Sequence, residues 1–406
     1  MDTQFDVIIA GGGMVGATLA AALGHSSLRI ALIESSEPDA FTPEQPHDLR
    51  VSAVSIASQR MFEAIGAWEA MRKMRACPYR QMLVWDGEKG GQTLFDSGEL
   101  YQPVLGHIIE NRVIQLAVVE VAKRLDNITW LSPERVEHLE QHDSTVSVRL
   151  ISGTQLQARV LVGADGANSS VRRLSDIGID KHPYDQHALV ATVETALPQQ
   201  DITWQRYVPS GPQAFLPLSG QHGSLVWYHT PDTVAELEAL SDDALRDAIV
   251  DAFPERLGEI VAVQNRGSFP LIKSHAHCYL AGRVVLIGDA AHTIHPQAGQ
   301  GVNLGLMDAA QLAEQLLQQH SQGRDIGHHA ALRRYERARR GYNQLMISSM
   351  DAFYYAFRES SPPLQLARSL ALTAADRIMP VKRFTMAYAM GLSGDLPQLA
   401  QGKLPT

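Results

Sequence analysis

A glycine-rich turn between an apolar run and a helix-forming run constrains the fold of this chain more than any other feature. Residues 5–10 are largely apolar and favour a short buried strand, and residues 17–23 favour a helix. Between them stands Gly11-Gly12-Gly13-Met14-Val15-Gly16. The first glycine permits a tight turn, Gly13 allows a pyrophosphate to approach the backbone, and Gly16 allows the helix to pack closely on the sheet. The pattern predicts that Gly11, Gly13, Met14, Val15 and Gly16 bind a dinucleotide at a helix N-terminus.

A carboxylate follows the next predicted strand. Residues 28–33 are apolar and lead directly into Glu34, about twenty residues beyond the glycines. A carboxylate at this point accepts hydrogen bonds from ribose hydroxyls and repels a 2′-phosphate, so FAD or NAD is favoured over NADP. A chance glycine-rich turn without a ligand is the alternative.

A second cluster lies near the middle of the chain. The apolar residues 159–163 lead into Asp165 and Gly166, and Arg172 follows in a segment that can open a helix. Such a loop suits a site near a phosphate. Taken alone, an Asp-Gly pair is equally well an ordinary turn.

A third cluster follows residues 283–287, which form another predicted strand. Gly288 and Asp289 stand at its carboxyl end, where open parallel sheets bind ligands, so the carboxylate is expected to bind a ligand hydroxyl. Residues 304–319 have apolar side chains at helical spacing. The loop before that helix contains Gly299, Gln300 and Gly301, which could approach a flat ring and stabilise negative charge on a reduced flavin. A helix-opening loop without a ligand is the alternative.

Composition and charge narrow the class of protein. The chain has 406 residues, of which 45% are hydrophobic and 19% charged, so one large or two closely joined globular domains are expected. A formal net charge of −9 argues against a nucleic-acid partner. Two cysteines provide no disulfide framework, which favours a reducing cytoplasm. Neither a targeting peptide nor an apolar run long enough for a membrane span is expected.

The three clusters, in type and order, resemble the class A flavoprotein aromatic hydroxylases, the group that includes para-hydroxybenzoate hydroxylase. The resemblance implies an α/β fold in which a Rossmann-like FAD-binding domain is interleaved with a β-sheet substrate domain and followed by a helical C-terminal region. The expected FAD-binding domain comprises residues 1–76, 109–180 and 273–347. The expected substrate domain comprises residues 77–108 and 181–272, and the helical region residues 348–406.

The resemblance also implies individual roles. Gly11, Gly13, Gly16 and Glu34 would bind the adenosine end of FAD, and Asp289 the ribityl and pyrophosphate region. Asp165, Gly166 and Arg172 would serve both FAD and a transient NAD(P)H. Further flavin contacts are expected at Arg50, Gln115, Gly288, Val302 and Asn303. The residues expected nearest the chemistry are Pro296, whose carbonyl would lie near a substrate hydroxyl, together with Gly299, Gln300 and Gly301.

A narrower resemblance covers nearly the whole chain. Residues 110–111, 164–168, 214–218 and 288–305 resemble the ubiquinone-biosynthesis hydroxylases. Within that group, residues 77–80, 211–218, 224–228 and 351–354 are most similar to the demethoxyubiquinol hydroxylase subfamily. The implied reaction is hydroxylation of a polyprenylated phenol or benzoquinol by NAD(P)H and O2 through a flavin hydroperoxide. The implied partners are a prenylated quinol and other ubiquinone-biosynthesis proteins, and a homo-oligomer stays open.

The substrate side is expected to be a sheet. Residues 81–85, 189–193, 214–218 and 224–228 have strand character. The candidates for its apolar wall are Phe215, Leu216, Pro217 and Trp227, with a generic sheet core as the alternative for each. No metal is expected, because the histidines at 275, 277, 292 and 295 lack a complete ligand set.

The last part of the chain changes character. Apolar residues and the basic residues Arg368, Arg377, Lys382 and Arg383 make a pair of short helices around Pro380. These helices either contact a membrane surface or a partner, or cap the flavin domain. For the activity itself, three alternatives stay open: a flavin halogenase, a prenyl-chain reductase and a non-catalytic flavin-binding scaffold.

Overall fold

The computed structural model describes residues 3–295, 299, 301–358 and 361–405. The strands are β1 Val7–Ala10, β2 Ile30–Ile33, β3 Val51–Ser55, β4 Cys77–Tyr79, β5 Gln81–Asp86, β6 Gln92–Asp96, β7 Gly106–Glu110, β8 Ile128–Leu131, β9 Val136–Gln141, β10 Val146–Leu150, β11 Gln155–Ala158, β12 Val160–Gly163, β13 Ile179–Thr195, β14 Ile202–Val208, β15 Gly211–Pro217, β16 His222–His229, β17 Ile260–Ala276, β18 Leu280–Ala281, β19 Val284–Leu286 and β20 His292–Thr293. The α-helices are α1 Met14–Leu23, α2 Ile56–Ala64, α3 Trp68–Met74, α4 Asn111–Lys123, α5 Ser170–Leu174, α6 Pro231–Glu238, α7 Asp242–Ala252, α8 Gly301–Ser321, α9 His329–Arg358, α10 Pro362–Arg377 and α11 Met379–Ala389.

A six-stranded sheet forms the centre of the dinucleotide-binding part. Its order is β18-β19-β12-β1-β2-β8, and the five strands from β19 to β8 run parallel. All four residues of β1, β2 and β12 are buried, as expected for strands covered on both faces. Helix α1 packs against α4 and α8. The predicted α/β fold is therefore confirmed.

An eight-stranded sheet lies beside it, in the order β20-β17-β13-β16-β15-β14-β5-β6. Neighbouring strands are antiparallel except β14 and β5, which run parallel. The four predicted strands of the substrate side all lie in this sheet. Helices α6 and α7 contribute Val234, Leu245 and Ile249 to an apolar core with one side of the sheet. The opposite face of the sheet forms a wall of the candidate site.

Two three-stranded sheets and the C-terminal helices complete the described structure. The small sheets have the orders β11-β10-β9 and β3-β7-β4. Helix α9 packs on α8, α10 packs on β6, and α11 packs near the 3-10 turn Ser97–Leu100. The predicted pair of short helices is present, with Pro380 in the first turn of α11. None of the described helices has both the length and the apolar composition that crossing a membrane requires.

Candidate functional site

Two adjoining cavities extend from the glycine turn to the eight-stranded sheet. The larger has a volume of about 930 Å³ and is lined by the glycine turn and Glu34. The smaller, about 560 Å³, lies between the loop before α8 and the sheet. The residues that line both are Gly13, Met14, Leu49, Arg50, Asn111, Ala164, Gly166, Phe269 and Asp289. One extended ligand could therefore occupy both.

The glycine turn has the geometry that a dinucleotide requires. Gly11 has φ +110°, and a Cβ there would lie 2.3 Å from the carbonyl oxygen of Ala164. A Cβ on Gly16 would lie 1.9 Å from the carbonyl oxygen of Gly11, so both positions exclude a side chain. Gly13 has open space beside it and precedes the first residue of α1. The backbone is thus accessible at the N-terminus of α1, where the helix dipole favours phosphate.

The carboxylate of Glu34 lies beside this turn. One of its oxygens accepts a hydrogen bond from the backbone N–H of Gly12 at 2.7 Å. The other accepts from the hydroxyl of Ser35 at 2.9 Å and from the N–H of Ser36 at 3.1 Å. The side chain of Gln115 donates to the carbonyl oxygen of Gly12 at 3.2 Å. These bonds orient the carboxylate in the wall of the larger cavity and leave it further acceptor capacity for ribose hydroxyls.

Asp165 and Gly166 line the larger cavity directly after β12. Oδ2 of Asp165 accepts from the N–H groups of Ser170 and Val171, at 2.7 and 3.1 Å, and so caps the first turn of α5. Among the described residues, its Oδ1 is buried without a hydrogen-bond partner. Gly166 has φ +79° and open space beside it. An unused buried acceptor in a cavity wall fits a ligand that carries hydroxyl groups.

Arg172 lies behind the cavities and lines neither of them. Its guanidinium donates to the carbonyl oxygens of Ala290 and Ala167, at 2.8 and 3.0 Å, and the residue is 3% exposed. Burial lowers the pKa of this guanidinium. The resemblance implied a cofactor contact for Arg172, whereas its hydrogen bonds join the Asp165 loop to the Asp289 loop. We infer a positioning role.

Gly288 and Asp289 form a short 3-10 turn after β19. Gly288 has φ +58°, a conformation that favours glycine. The surrounding protein shields the carboxyl of Asp289 from water, and this desolvation raises its pKa. The side chain nevertheless lines the space that the two cavities share. A carboxylate placed there can bind a hydroxyl of a ligand that spans the two parts.

The loop before α8 reaches the smaller cavity. Gly299, which has φ +61°, lines it together with Gly301 and Val302 at the first turn of α8. Pro296 and Gln300 lie outside the described residues. The N-terminus of α8 is thus accessible from the smaller cavity, and its electrostatic role at a flavin ring stays a prediction.

Asn303 points elsewhere. Its amide donates to the carbonyl oxygen of Ala53 at 2.8 Å and accepts from the N–H of Ser55 at 3.0 Å and the hydroxyl of Ser58 at 2.8 Å. The residue is buried and lines neither cavity. Asn303 therefore holds α8 against β3 and α2, although the resemblance implied a direct flavin contact.

Arg50 lies on the wall that both cavities share, with its guanidinium 5.9 Å from the ring centre of Phe269. Next to it are two residues to which the sequence assigned no site role. Asn111 accepts a hydrogen bond from Ser52 at 2.7 Å, and Arg112 makes two hydrogen bonds to Asp48, at 2.9 and 2.7 Å. Their position at the start of α4, where free backbone N–H groups favour an anion, is a signal that could have indicated them.

The far wall of the smaller cavity is largely apolar and comes from the eight-stranded sheet. Its sheet residues include Met82, Ala188, Val190, Ala214, Leu216, Ser224, Val226, Tyr228, Phe269 and Ile272. The hydroxyl of Ser224 is buried and has no partner among the described residues. We call this part the apolar chamber. It can hold a flat apolar ring that carries a polar substituent.

Three of the four predicted wall residues lie outside the lining of the apolar chamber. Leu216 lines the apolar chamber, whereas Phe215 and Trp227 pack with Phe253 in the core on the opposite side of the sheet. Successive side chains of a strand point to opposite faces, so Leu216 and Phe215 cannot share a wall. Pro217 is also buried outside the cavity lining.

The four histidines contact other side chains of the protein. Among the described residues, no group of three or more potential ligands could hold a metal ion. His275 pairs with Gln344 and Tyr279, and His277 with Asp180. The ring of His292 lies 2.5 Å from a carboxylate oxygen of Asp308. His295 is buried among tyrosine rings, and both of its ring nitrogens are without partners in the described structure.

Asp308 is a buried residue that sequence reasoning missed. Besides His292, its carboxylate accepts hydrogen bonds from the N–H of Gly288 at 3.1 Å, Arg339 at 2.8 Å and Asn343 at 3.1 Å. A carboxylate within the apolar face of a predicted helix was the available signal, because a buried acid needs partners. This cluster fixes the loop that carries Asp289.

The geometry of the site agrees with comparisons to known proteins. The family model described as an FAD binding domain matches residues 4–349. The chain belongs to this family. It is 38% identical to the 3-demethoxyubiquinol 3-hydroxylase of Escherichia coli (strain K12), an alignment that covers 95% of this chain and 98% of the relative. It is 37% identical to the ubiquinone hydroxylase UbiL of Rhodospirillum rubrum, over 99% of this chain and 94% of the relative.

Solved structures show the same fold. The p-nitrophenol 4-monooxygenase PnpA of Pseudomonas putida superposes with a TM-score of 0.77 at 22% identity, covering 97% of this chain and 99% of that one. The predictions of an FAD-binding α/β fold and of an FAD-dependent monooxygenase are confirmed. The resemblance to the ubiquinone-biosynthesis hydroxylases is confirmed as well.

Proposed function

We propose that this monooxygenase hydroxylates the aromatic ring of a polyprenylated phenol or benzoquinol in ubiquinone biosynthesis, with NAD(P)H and O2 as co-substrates. The observation that carries the proposal is the apolar chamber, which adjoins the dinucleotide site and faces the N-terminus of α8. The names of the E. coli and R. rubrum relatives support the choice of substrate.

The residues present fit FAD. Glu34 and the glycine turn would hold the adenosine end, Asp165 and Asp289 would bind hydroxyl groups further along, and Arg50 and Gln115 would complete the walls. Gly299, Gly301 and Val302 would lie at the ring. When bound, FAD supplies the redox chemistry that activates O2 for ring hydroxylation.

The N-terminus of α8 would stabilise negative charge next to it. The free N–H groups of a helix's first turn and the helix dipole favour an anion, and Gly301 and Val302 place that turn on the cavity wall. Asp308 maintains this arrangement by bonding α8 to the loop of Gly288. The protein thus provides a preorganised electrostatic environment.

The apolar chamber would orient the substrate ring and exclude water. Leu216, Val226 and Phe269 provide apolar surface, and excluding water protects reactive oxygen chemistry from side reactions. The unpartnered hydroxyl of Ser224 would form a hydrogen bond with an oxygen substituent of the ring.

The remaining assignments are parts of the same proposal. NAD(P)H would reach the flavin without a dinucleotide domain of its own, since the sequence contains no second strand-linked glycine fingerprint. Residues 1–76, 109–180 and 273–347 would act as the FAD-binding domain, residues 77–108 and 181–272 as the substrate domain, and residues 348–406 as a helical region. The enzyme would work in the cytoplasm, at the inner face of the membrane, alongside other ubiquinone-biosynthesis proteins.

Isotope labelling tests the activity. Purified holoenzyme is supplied with NADH or NADPH, ¹⁸O2, chloride and a benzoquinol that carries a short prenyl chain. We expect quinol-stimulated nicotinamide oxidation and one ¹⁸O atom in the ring of the product. Reduction of the prenyl chain without ¹⁸O, halide incorporation, or tight FAD with no turnover would instead identify the reductase, the halogenase or the scaffold.

A gene deletion tests the pathway. Mass spectrometry of the deletion strain should find a quinone intermediate that lacks one ring hydroxyl, and this chain supplied in trans should remove it. An unchanged quinone profile, in a strain without a paralogue, would contradict the pathway.

A further inference from the structure

Helix α10 has the reverse of the usual amphipathic arrangement. Its buried side chains are Gln365, Arg368 and Ser369, whereas Leu366 and Leu370 are 57% and 60% exposed. Surface helices of water-soluble proteins normally bury the apolar side. The outward side of α10 is therefore suited to an apolar environment.

The polar side of α10 is held by charged partners on the β5–β6 hairpin. Arg368 donates to Asp86 at 2.7 Å and to Glu88 at 3.1 Å, and Gln365 donates to Glu88 at 2.7 Å. Arg368 and Asp86 are both buried. Because these bonds fix the rotation of the helix, its leucines cannot turn inward without leaving buried charges unpaired.

Helix α11 repeats the arrangement. Lys382 is buried and donates to Glu99 at 2.7 Å and Asp376 at 3.2 Å. On the outer side, Val381 is 51% and Phe384 66% exposed, and Ile378 between the helices is 49% exposed. We call the exposed Leu366, Leu370, Ile378, Val381 and Phe384 the docking face.

The unpaired charges beside the docking face are basic. Residues 361–389 are all described, and their exposed charged residues are Arg377 and Arg383; the half-exposed Asp376 is neutralised by its ion pair with Lys382. The whole chain carries a formal charge of −9, so this basic face differs from the protein's average. Arginines beside exposed apolar side chains complement anionic lipid headgroups.

The inner side of α11 leads towards the apolar chamber. Met386 and Met390 belong to one apolar cluster with Tyr79, Met82 and Leu216, and these last three residues line the chamber. Helix α11 is therefore in apolar contact with the chamber wall on one side and exposes the docking face on the other.

We propose that the docking face binds the surface of an anionic lipid bilayer, from which the enzyme takes its polyprenylated substrate. The proposal rests on the proposed function, because a lipid substrate explains why the face adjoins the chamber wall. The two arginines would contact headgroups while the five apolar side chains enter the interface.

Vesicle flotation tests the proposal. Full-length holoenzyme is mixed with vesicles of phosphatidylcholine containing 30% phosphatidylglycerol, or of phosphatidylcholine alone. We expect binding to the anionic vesicles, reduced about tenfold in Leu370→Gln/Phe384→Gln because two inserted side chains are lost. Arg377→Gln/Arg383→Gln should reduce it about thirtyfold, since each basic residue near an anionic surface contributes about 1 kcal/mol and about 1.4 kcal/mol corresponds to tenfold.

Matched variants serve as controls. Ile151→Gln/Val250→Gln changes two apolar residues that are 58% and 57% exposed elsewhere, and Arg333→Gln/Arg334→Gln changes two exposed arginines of α9. Both should float like the wild type. Equal flotation of all variants, or no flotation at all, overturns the proposal. The proposal is also overturned if the docking face binds a second copy of the chain. In that case the wild type would be an oligomer, and Leu370→Gln/Phe384→Gln would dissociate it.

Turnover of a water-soluble short-chain quinol separates this proposal from the proposed function. The docking-face variants should keep wild-type turnover, because none of the changed residues lines the cavities. If the wild type floats but does not hydroxylate the quinol, the proposed function fails while the bilayer contact stands. If it hydroxylates the quinol but does not float, the docking face alone is wrong.

Discussion

Nε2 of His292 lies 2.5 Å from Oδ2 of Asp308, and both side chains are buried beneath the loop that carries Asp289. The same oxygen accepts the N–H of Gly288, while Oδ1 accepts from Arg339. Burial by itself would raise the pKa of Asp308, but His292 and Arg339 hold it well below its usual range. A single ionised carboxylate thus joins α8, α9 and the Asp289 loop.

Replacing Asp308 with asparagine should destabilise the protein strongly. Asp308→Asn leaves the buried guanidinium of Arg339 without its counter-charge, which is expected to lower the free energy of unfolding by about 3–5 kcal/mol. Urea titration of the holoenzyme measures this change. The control is Asp242→Asn, an exposed partner of Arg266, which should cost about 0–1 kcal/mol. Equal losses in the two variants would rule out this role for Asp308.

Substitutions at the two ends of the cofactor site should remove FAD. Glu34→Arg places a cation where ribose hydroxyls need an acceptor, and Asp289→Ala removes the acceptor further along the cavity. Both proteins should purify colourless, as absorbance near the flavin bands will show. Glu37→Arg changes an exposed carboxylate that pairs with Lys123 and should stay yellow. Yellow holoenzyme from both site variants would contradict the assignment.

Substitutions at two neighbouring residues of β15 should change different properties, KM at Leu216 and stability at Phe215. Leu216→Trp adds volume inside the apolar chamber and should raise KM for the quinol about tenfold with FAD content unchanged. Phe215→Ala creates a cavity in the core on the other side and should lower the free energy of unfolding by about 3–5 kcal/mol with KM unchanged. Steady-state kinetics and urea titration of both variants measure these effects. A raised KM in Phe215→Ala would contradict this assignment, because it would indicate that the substrate binds on the side of β15 that faces α6 and α7.

Buried histidines should make stability depend on pH. Burial lowers the pKa values of His47, His107 and His295 to about 4 in the folded protein, compared with about 6.5 in an unfolded chain. Between these values the unfolded state binds more protons, so the free energy of unfolding decreases as pH falls from 6.5 to 4. His295 alone would account for about 3 kcal/mol at pH 4.

Urea titrations between pH 4.5 and 7 measure this dependence. His295→Phe should reduce the slope but not abolish it, because a ring that does not titrate replaces this histidine among Tyr184, Tyr228 and Tyr354 while His47 and His107 still titrate. The exposed control His25→Gln should leave the slope as in the wild type. The same slope in His295→Phe would show that this histidine is not the titrating group.

The glycine turn could be predicted because its main constraint is local. A Cβ on Gly16 would meet the carbonyl oxygen of Gly11, five residues earlier, and the loop of Ala164 that Gly11 meets follows a strand that its apolar pattern located. The positions of Arg172 and Asn303 could not be derived in this way. Their partners include Ala290 and Ala53, which are 118 and 250 residues away in the sequence. Spacing within a motif does not show whether a side chain points to a ligand or to such a distant carbonyl.

The substrate wall shows a second limit. Alternation along β15 separates Leu216 from Phe215, but the sequence does not show which of the two faces α6 and α7 cover. The larger aromatic side chains were expected at the substrate, whereas they form the core under those helices. The partners of the buried Asp308 carboxylate could not be derived from the sequence either, since they come from two separate segments, residues 288–292 and α9.

The two longest strands determine how the molecule can move. β13 and β17 are each 17 residues long, and they pair from Ile179 with Ala276 to Thr195 with Ile260. Both strands belong to the eight-stranded sheet, and the pairing has register shifts between Pro183 and His187 and between Thr192 and Thr195. Bending this sheet within either paired stretch would break ladder hydrogen bonds, so we expect ligands to be admitted by rearrangement of loops and side chains around it.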